Sequence, residues 1–172
     1  DEITAALVTD ASKVLVSDAT VTINDTPTIA VLNTIAATTT GVVTATLAAN
    51  SLLTLGDLST TATDDITITV NNPDLEAISA TDLSTLGSKT AGTVTVTNAI
   101  AISGNQNQLT AALVTDASKV IVSDATVTIN DADGTAISAA ELSAIGAATT
   151  GDVTVTNAIA ISGNHDEITA AL

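Results

Sequence analysis

The chain has 172 residues and is 45% hydrophobic, enough apolar material to close a core and too much for a disordered polyampholyte. It contains no Phe, Trp, Tyr, Met or Cys, so its interior has to be built from Val, Ile, Leu and Ala with help from Thr methyl groups. Nineteen acidic residues against three lysines and no arginine leave a formal charge of −16, and no apolar run of about 18 residues is present; neither nucleic acid nor membrane insertion is expected.

The first seven residues return letter for letter as 166–172, so the chain reads as a window on a longer array. Residues 4–25 recur at 110–131 with one change in twenty-two positions, Leu15 to Ile121. Residues 92–105 recur at 151–164 with only Thr93 replaced, by Asp152, and Ala77-Ile78-Ser79 matches Ala136-Ile137-Ser138 at the same offset of 59.

In chain order, Pro27 follows the first strand motif, where a turn tolerates it. Val43-Thr44-Ala45-Thr46 alternates like a strand, and residues 47–60 then lack a second strand motif, marking an irregular or degenerate coil. Pro73 ends the next strand motif. Ser79 with Asp82 has capping-box spacing, followed by Leu83 and Leu86 at helical intervals and by Gly87 as a left-handed stop. Asn105 with Gln108 repeats the box ahead of Leu109 and Leu113. Residues 120–123 and 126–129 alternate apolar with polar on either side of Asp124-Ala125, a corner. Ser138 with Glu141 opens a third helix through Leu142 and Ile145 to Gly146. Residues 153–156 and 159–162 are strands around Asn157-Ala158, and Asn164 with Glu167 is a last capping box; Glu2 holds the Glu167 position. One short helix plus two short strands recur about every 29 residues. The expected fold is mainly β with short helices, a repeat β-solenoid, with residues 1–172 as one array.

The chemistry available is narrow. His165 is the only histidine, and Gln106 replaces it in the preceding repeat; with no Cys, Tyr or Arg for nucleophile, acid or phosphate clamp, no enzymatic activity is expected. Asp18, Asp65 and Asp124 share one corner, and Asn98 and Asn157 are expected to hold it in the alternate half. Stacked Asp and Asn side chains satisfy one another as a ladder; alternatively Asp124, Asp131, Asp133, Asp18 and Asp25 offer hard oxygen ligands for calcium. Asn130-Asp131-Ala132-Asp133-Gly134 is the densest acidic turn, but it is no EF-hand: Ile129 and Ala140 stand where the first Asp and the bidentate Glu would be needed. Thr-x-Thr triplets at 20/22, 44/46, 67/69, 95/97, 126/128 and 154/156 resemble an ice-binding surface. Their sequence context puts 126/128 and 154/156 in different columns, favouring plain outward Thr on strands.

Residues 94–105 with 109–115, and residues 133–146, resemble the repeats of giant secreted β-strand-repeat surface proteins of cyanobacteria and other marine bacteria. The resemblance covers nearly all of the chain apart from 47–60 and implies a location outside the cell or on its surface, with a structural or adhesive role and no catalytic residues. The expected function is therefore an extracellular fibre, spacer, surface-layer or adhesin-stalk segment that assembles by stacking its coils, with copies of itself and cell-surface polysaccharide as partners. The alternative is a calcium-dependent polysaccharide-binding or ice-binding module.

Overall fold

The computed structural model describes residues 2–8 and 14–172; the expectations touching residues 1 and 9–13 lie outside the described residues. A five-stranded sheet has the order β1 (Val21–Thr22), β2 (Val43–Thr46), β3 (Asp65–Val70), β5 (Val94–Val96), β7 (Val120–Ile121). A four-stranded sheet runs β10 (Val153–Val155), β8 (Thr126–Ile129), β6 (Ala101–Gly104), β4 (Ala77–Ser79), and β11 (Ala160–Ser162) pairs with β9 (Ala136–Ser138). Every pairing is parallel. Period two explains the burial: Ile66, Ile68 and Val70 of β3 face inwards while Asp65 and Thr67 face out.

Parallel neighbours need a crossover, and helices supply most of them. They are α1 (Glu2–Leu7), α2 (Ile29–Ala36), α3 (Leu52–Leu55), α4 (Ala80–Gly87), α5 (Gln106–Leu109), α6 (Ala139–Ala147) and α7 (His165–Ala171). The helix stripes are aliphatic: Leu32 and Ile35 on α2, Ala80, Leu83 and Leu86 on α4, Ala139, Leu142 and Ile145 on α6. All of these except Ala139 join one core with Val43, Val94, Ile100, Ile102, Val127 and Ile129, against which helices this short become stable.

The mainly β solenoid expected from the repeats is overturned. The fold is α/β, with eleven strands in three parallel sheets, seven helices among the described residues and 33% helical content. The connecting segments are more helical than the repeat grammar suggests: α6 is nine residues long, and α5 continues through a π-helical turn, Thr110–Val114, and a 3-10 turn, Asp116–Ser118. Alanine, the best helix former, extends these segments beyond the few apolar positions that mark them in the sequence.

Three capping boxes are present as spaced, at Asn105 with Gln108, Ser138 with Glu141 and Asn164 with Glu167. Ser79 instead caps through Thr81 N, so Asp82 does not close a box there. Neither Gly87 nor Gly146 is a left-handed cap: both lie inside their helices, and the capping Ser88 and Ala148 are right-handed, at φ −68° and −79°. Gly87 has another reason to be glycine, since a Cβ there would sit 1.7 Å from the Ser118 carbonyl oxygen. Residues 47–60 hold α3, capped by Ser51, and send Leu47, Leu52, Leu55 and Leu58 into the core. An isolated parallel bridge joins Asn50 to Val70.

Candidate functional site

Asp18, Asp65 and Asp124 do occupy equivalent places. Each lies beside a glycine of the following repeat, namely Gly41, Gly92 or Gly151. Asp18 and Asp124 are exposed, and among the described residues their side chains accept only from the neighbouring serine, Ser17 Oγ at 3.5 Å and Ser123 Oγ at 3.0 Å. Asn98 and Asn157 do not continue a side-chain ladder with them. Asn98 Nδ2 donates to the Asn72 carbonyl at 2.7 Å and Asn157 Nδ2 to the Asp131 carbonyl at 2.6 Å, so main-chain oxygens take the bonds expected between side chains.

The acidic turn is engaged with backbone as well. Asp131 Oδ2 accepts from Gln106 N, the first amide of α5, at 2.6 Å, and Asp133 Oδ1 accepts from Ala158 N at 3.0 Å. One repeat earlier Asn72 and Asp74 do the same for Leu52 N and Ala99 N, at 2.7 and 3.1 Å. These side-chain oxygens tie neighbouring segments together at amides that would otherwise lack partners. Asp25 is exposed. Among the described residues no three His, Cys, Asp or Glu side chains gather into a set able to hold one metal ion.

A second set of ties was not anticipated from the sequence, although its signal is there as Thr-x-Gly at 39–41, 90–92 and 149–151. Thr39 Oγ1 donates to the Ala19 carbonyl at 2.6 Å and accepts from Gly41 N at 3.0 Å. Thr149 does the same with Ala125 and Gly151, at 2.6 and 3.1 Å. Thr90 is buried and accepts from Ile66 N and Gly92 N, both at 2.8 Å, while its hydroxyl points between the carbonyls of Ile66 and Asp64. Asp64, only 5% exposed, accepts from Val43 N at 2.9 Å and from Thr61 N at 2.8 Å. Serine stands at the equivalent positions 17 and 123, so nothing in the repeat pattern flags this buried carboxylate.

Strand register changes the threonine picture. Thr22 pairs with Thr44, Thr46 with Thr67 and Thr69 with Thr95. Thr128 pairs with Thr154 in the four-stranded sheet, so these two share a file instead of occupying separate columns. His165 lies exposed at the first turn of α7 with Thr169 Oγ1 donating to its carbonyl at 2.9 Å.

Between α3 and α4 a cleft of about 400 Å³ opens where residues 47–60 break the repeat. Leu52, Ile78 and Leu86 supply apolar wall, and Glu76 and Asp82 supply acceptors. Lys89, also on the wall, holds the end of α3 through Nζ to the Gly56 carbonyl at 2.6 Å. Asn72, 3% exposed, lines the cleft too; its Oδ1 is fixed by Leu52 N, and its Nδ2 makes no hydrogen bond among the described residues. The recess can take a small hydroxylated group, with a donor from Asn72 and acceptors on the rim.

No helix among the described residues is long and apolar enough to cross a membrane. Comparison with protein-family models, curated proteins and solved structures finds no match to this chain.

Proposed function

We propose that the chain is a structural repeat segment of an extracellular or cell-surface protein, a fibre, spacer or stalk that transmits load from one repeat to the next. The observation behind this reading is that each strand pairs in parallel with a strand 21 to 26 residues away. The Thr-x-Gly and Asp131-type bonds add side-chain ties at the same junctions. Such a chain has no weak seam at which one repeat separates before the others. The acidic exterior keeps it dispersed, and cations in the medium screen it. Pulling the chain from its two ends in a force spectrometer is expected to give one cooperative rupture; a series of small independent openings would overturn the reading. Melting in calcium and then in chelator is expected to give the same midpoint, because Asp131 and Asp133 of the densest acidic turn already accept from main-chain amides.

A binding module is the second reading, favoured by two observations. The in-register threonines present short hydroxyl files, which suit an ice surface, and the α3–α4 cleft suits a sugar unit of a cell-surface polysaccharide. Ice shaping by the chain, or loss of glycan retention in Asn72→Leu, would support it.

A further inference from the structure

The α3–α4 cleft has chain on both sides of it, and its lining departs from the repeat. An offset of 59 sets residues 72–92 against 131–151. The strand along the floor is kept, since Ala77-Ile78-Ser79 are Ala136-Ile137-Ser138. The residues around that floor are not: Asn72 stands for Asp131, Glu76 for Thr135, Thr85 for Ala144 and Lys89 for Ala148. The cleft opens because α3 stops after Leu55, whereas the turn Thr110–Val114 that continues α5 packs against α6.

Asn72 carries the most information. Its Oδ1 accepts from Leu52 N at 2.7 Å, as Asp131 Oδ2 accepts from Gln106 N at 2.6 Å. An aspartate does that work at least as well, because negative charge favours a helix start; the amide adds only a donor. Leu52 N can only donate, so it fixes the oxygen on its own side and leaves Nδ2 to the cleft. The residue is 3% exposed and Nδ2 has no partner among the described residues, a cost that a ligand oxygen removes. Beside it, β4 is the end strand of its sheet. Ala77 is level with Ala101, and Ala101 N donates to the Glu76 carbonyl at 2.9 Å, so the N–H and C=O of Ala77 point away from β6, to the edge that lines the cleft. On the rim, Asp82 is one methylene shorter than Glu141 and closes no capping box. Its carboxylate and that of Glu76 are exposed, with no protein partner among the described residues. Lys89 Nζ is held on the Gly56 carbonyl at 2.6 Å, which leaves the two carboxylates to a ligand.

We propose that the α3–α4 cleft binds an amino sugar bearing its free ammonium group, as one unit of a cell-surface polysaccharide. The proposal rests on the binding-module reading above and names its ligand. A ring oxygen accepts from Asn72 Nδ2, a hydroxyl bonds the free edge at Ala77, and the C–H face of the ring lies on Ile78 and Leu86. The ammonium group sits at Glu76 and Asp82, where charge-assisted bonds are the strong ones. A neutral N-acetylated sugar forfeits that charge, and an acidic sugar is repelled by the same carboxylates and by a chain of net charge −16. The cleft is about 400 Å³, at the small end of the roughly 300–1,000 Å³ that ligand sites occupy.

The test is calorimetric titration with the disaccharide of glucosamine, its N-acetylated form and cellobiose, in chelator and about 0.15 M salt, where the screening length is about 8 Å. The glucosamine disaccharide is expected to bind about tenfold more tightly than either of the others, the gain of a charged hydrogen bond. The side-chain amide signals of Asn72 are expected to shift with the same saturation in a nitrogen–proton correlation spectrum. Glu76→Thr, which restores the residue of the other repeat, is expected to weaken binding about fivefold, and Asp152→Thr, which removes an exposed charge elsewhere, less than about twofold. Lysine with blocked α-amino and carboxyl groups, an ammonium without a sugar ring, is expected to bind at least about tenfold more weakly than the disaccharide. Equal binding of all three disaccharides would overturn the amino-sugar assignment while the cleft still took a sugar; binding of none would overturn both. Unmoved Asn72 signals, equal losses in Glu76→Thr and Asp152→Thr, or equal binding of the blocked lysine would each overturn the assignment as well.

Discussion

The corners at Thr90-Ala91-Gly92 and Thr149-Thr150-Gly151 use the same two residues in the same geometry, yet they have different weight. The first lies between β3 and β5 inside the five-stranded sheet, and its threonine is 2% exposed with a hydroxyl serving four main-chain groups. The second lies beside β10, the outermost strand of its sheet, and its half-buried threonine serves two. What makes a repeated motif costly to lose is how completely its surroundings exclude water and resist movement, and that is a property of position in the stack of strands.

The largest effect expected from this contrast is at the glycines. A Cβ at Gly92 would lie 2.5 Å from the Ile66 carbonyl oxygen, and one at Gly151 would lie 2.4 Å from that of Ala125. Gly92→Ala must displace main chain packed on both sides and is expected to destabilise by about 3 kcal/mol, whereas Gly151→Ala can push β10 outwards for about 1 kcal/mol. Urea denaturation of the two variants measures this, and equal losses would break the comparison. At the threonines the effect is smaller: Thr90→Val strands the buried amide of Ile66 and the half-buried amide of Gly92 and is expected to cost about 2 kcal/mol, against about 1 kcal/mol for Thr149→Val. The same denaturation curves decide it.

The smallest effect sharpens the comparison through the helix caps. The box of α5 is neutral, through Gln108, while that of α6 is ionised, through Glu141. Bonds from the Ser138 amide and then the Ser138 hydroxyl hold the Glu141 carboxyl below its ordinary value of 4.5. A lowered carboxyl stabilises the fold above its unfolded value and loses that contribution as pH falls through the folded one. Melting temperature should therefore drop less between pH 6 and about pH 3 in Glu141→Gln than in the parent chain, because glutamine keeps the bond without the charge. An unchanged pH profile would count against the assignment.

Much of the local structure was legible. Three capping boxes and the alternation of 126–129 and of 153–155 all carry their cause within a few residues. The layer arrangement was not, because the repeat period fixes how often the chain returns without saying whether the stretch between returns is helix or turn. Gly87 and Gly146 misled for the same reason: glycine after an apolar stripe reads as a stop, while here the requirement at Gly87 comes from Ser118 thirty-one residues on. Leu75 shows the converse. It holds the left-handed position, φ 61°, that Gly134 holds at 78° one repeat later, so an ordinary leucine conceals a turn that the later repeat announces. Asp64 was invisible among carboxylates because only its burial distinguishes it.

The uniform separation of paired strands has a kinetic consequence. With partners 21 to 26 residues apart throughout, no pairing waits on the closure of a long loop, and the entropy of closing each is nearly the same. A chain emerging from the ribosome can thus complete one pairing for every two dozen or so residues released, each finished layer templating the following one, so that lengthening the protein adds steps to folding without making any single step slower.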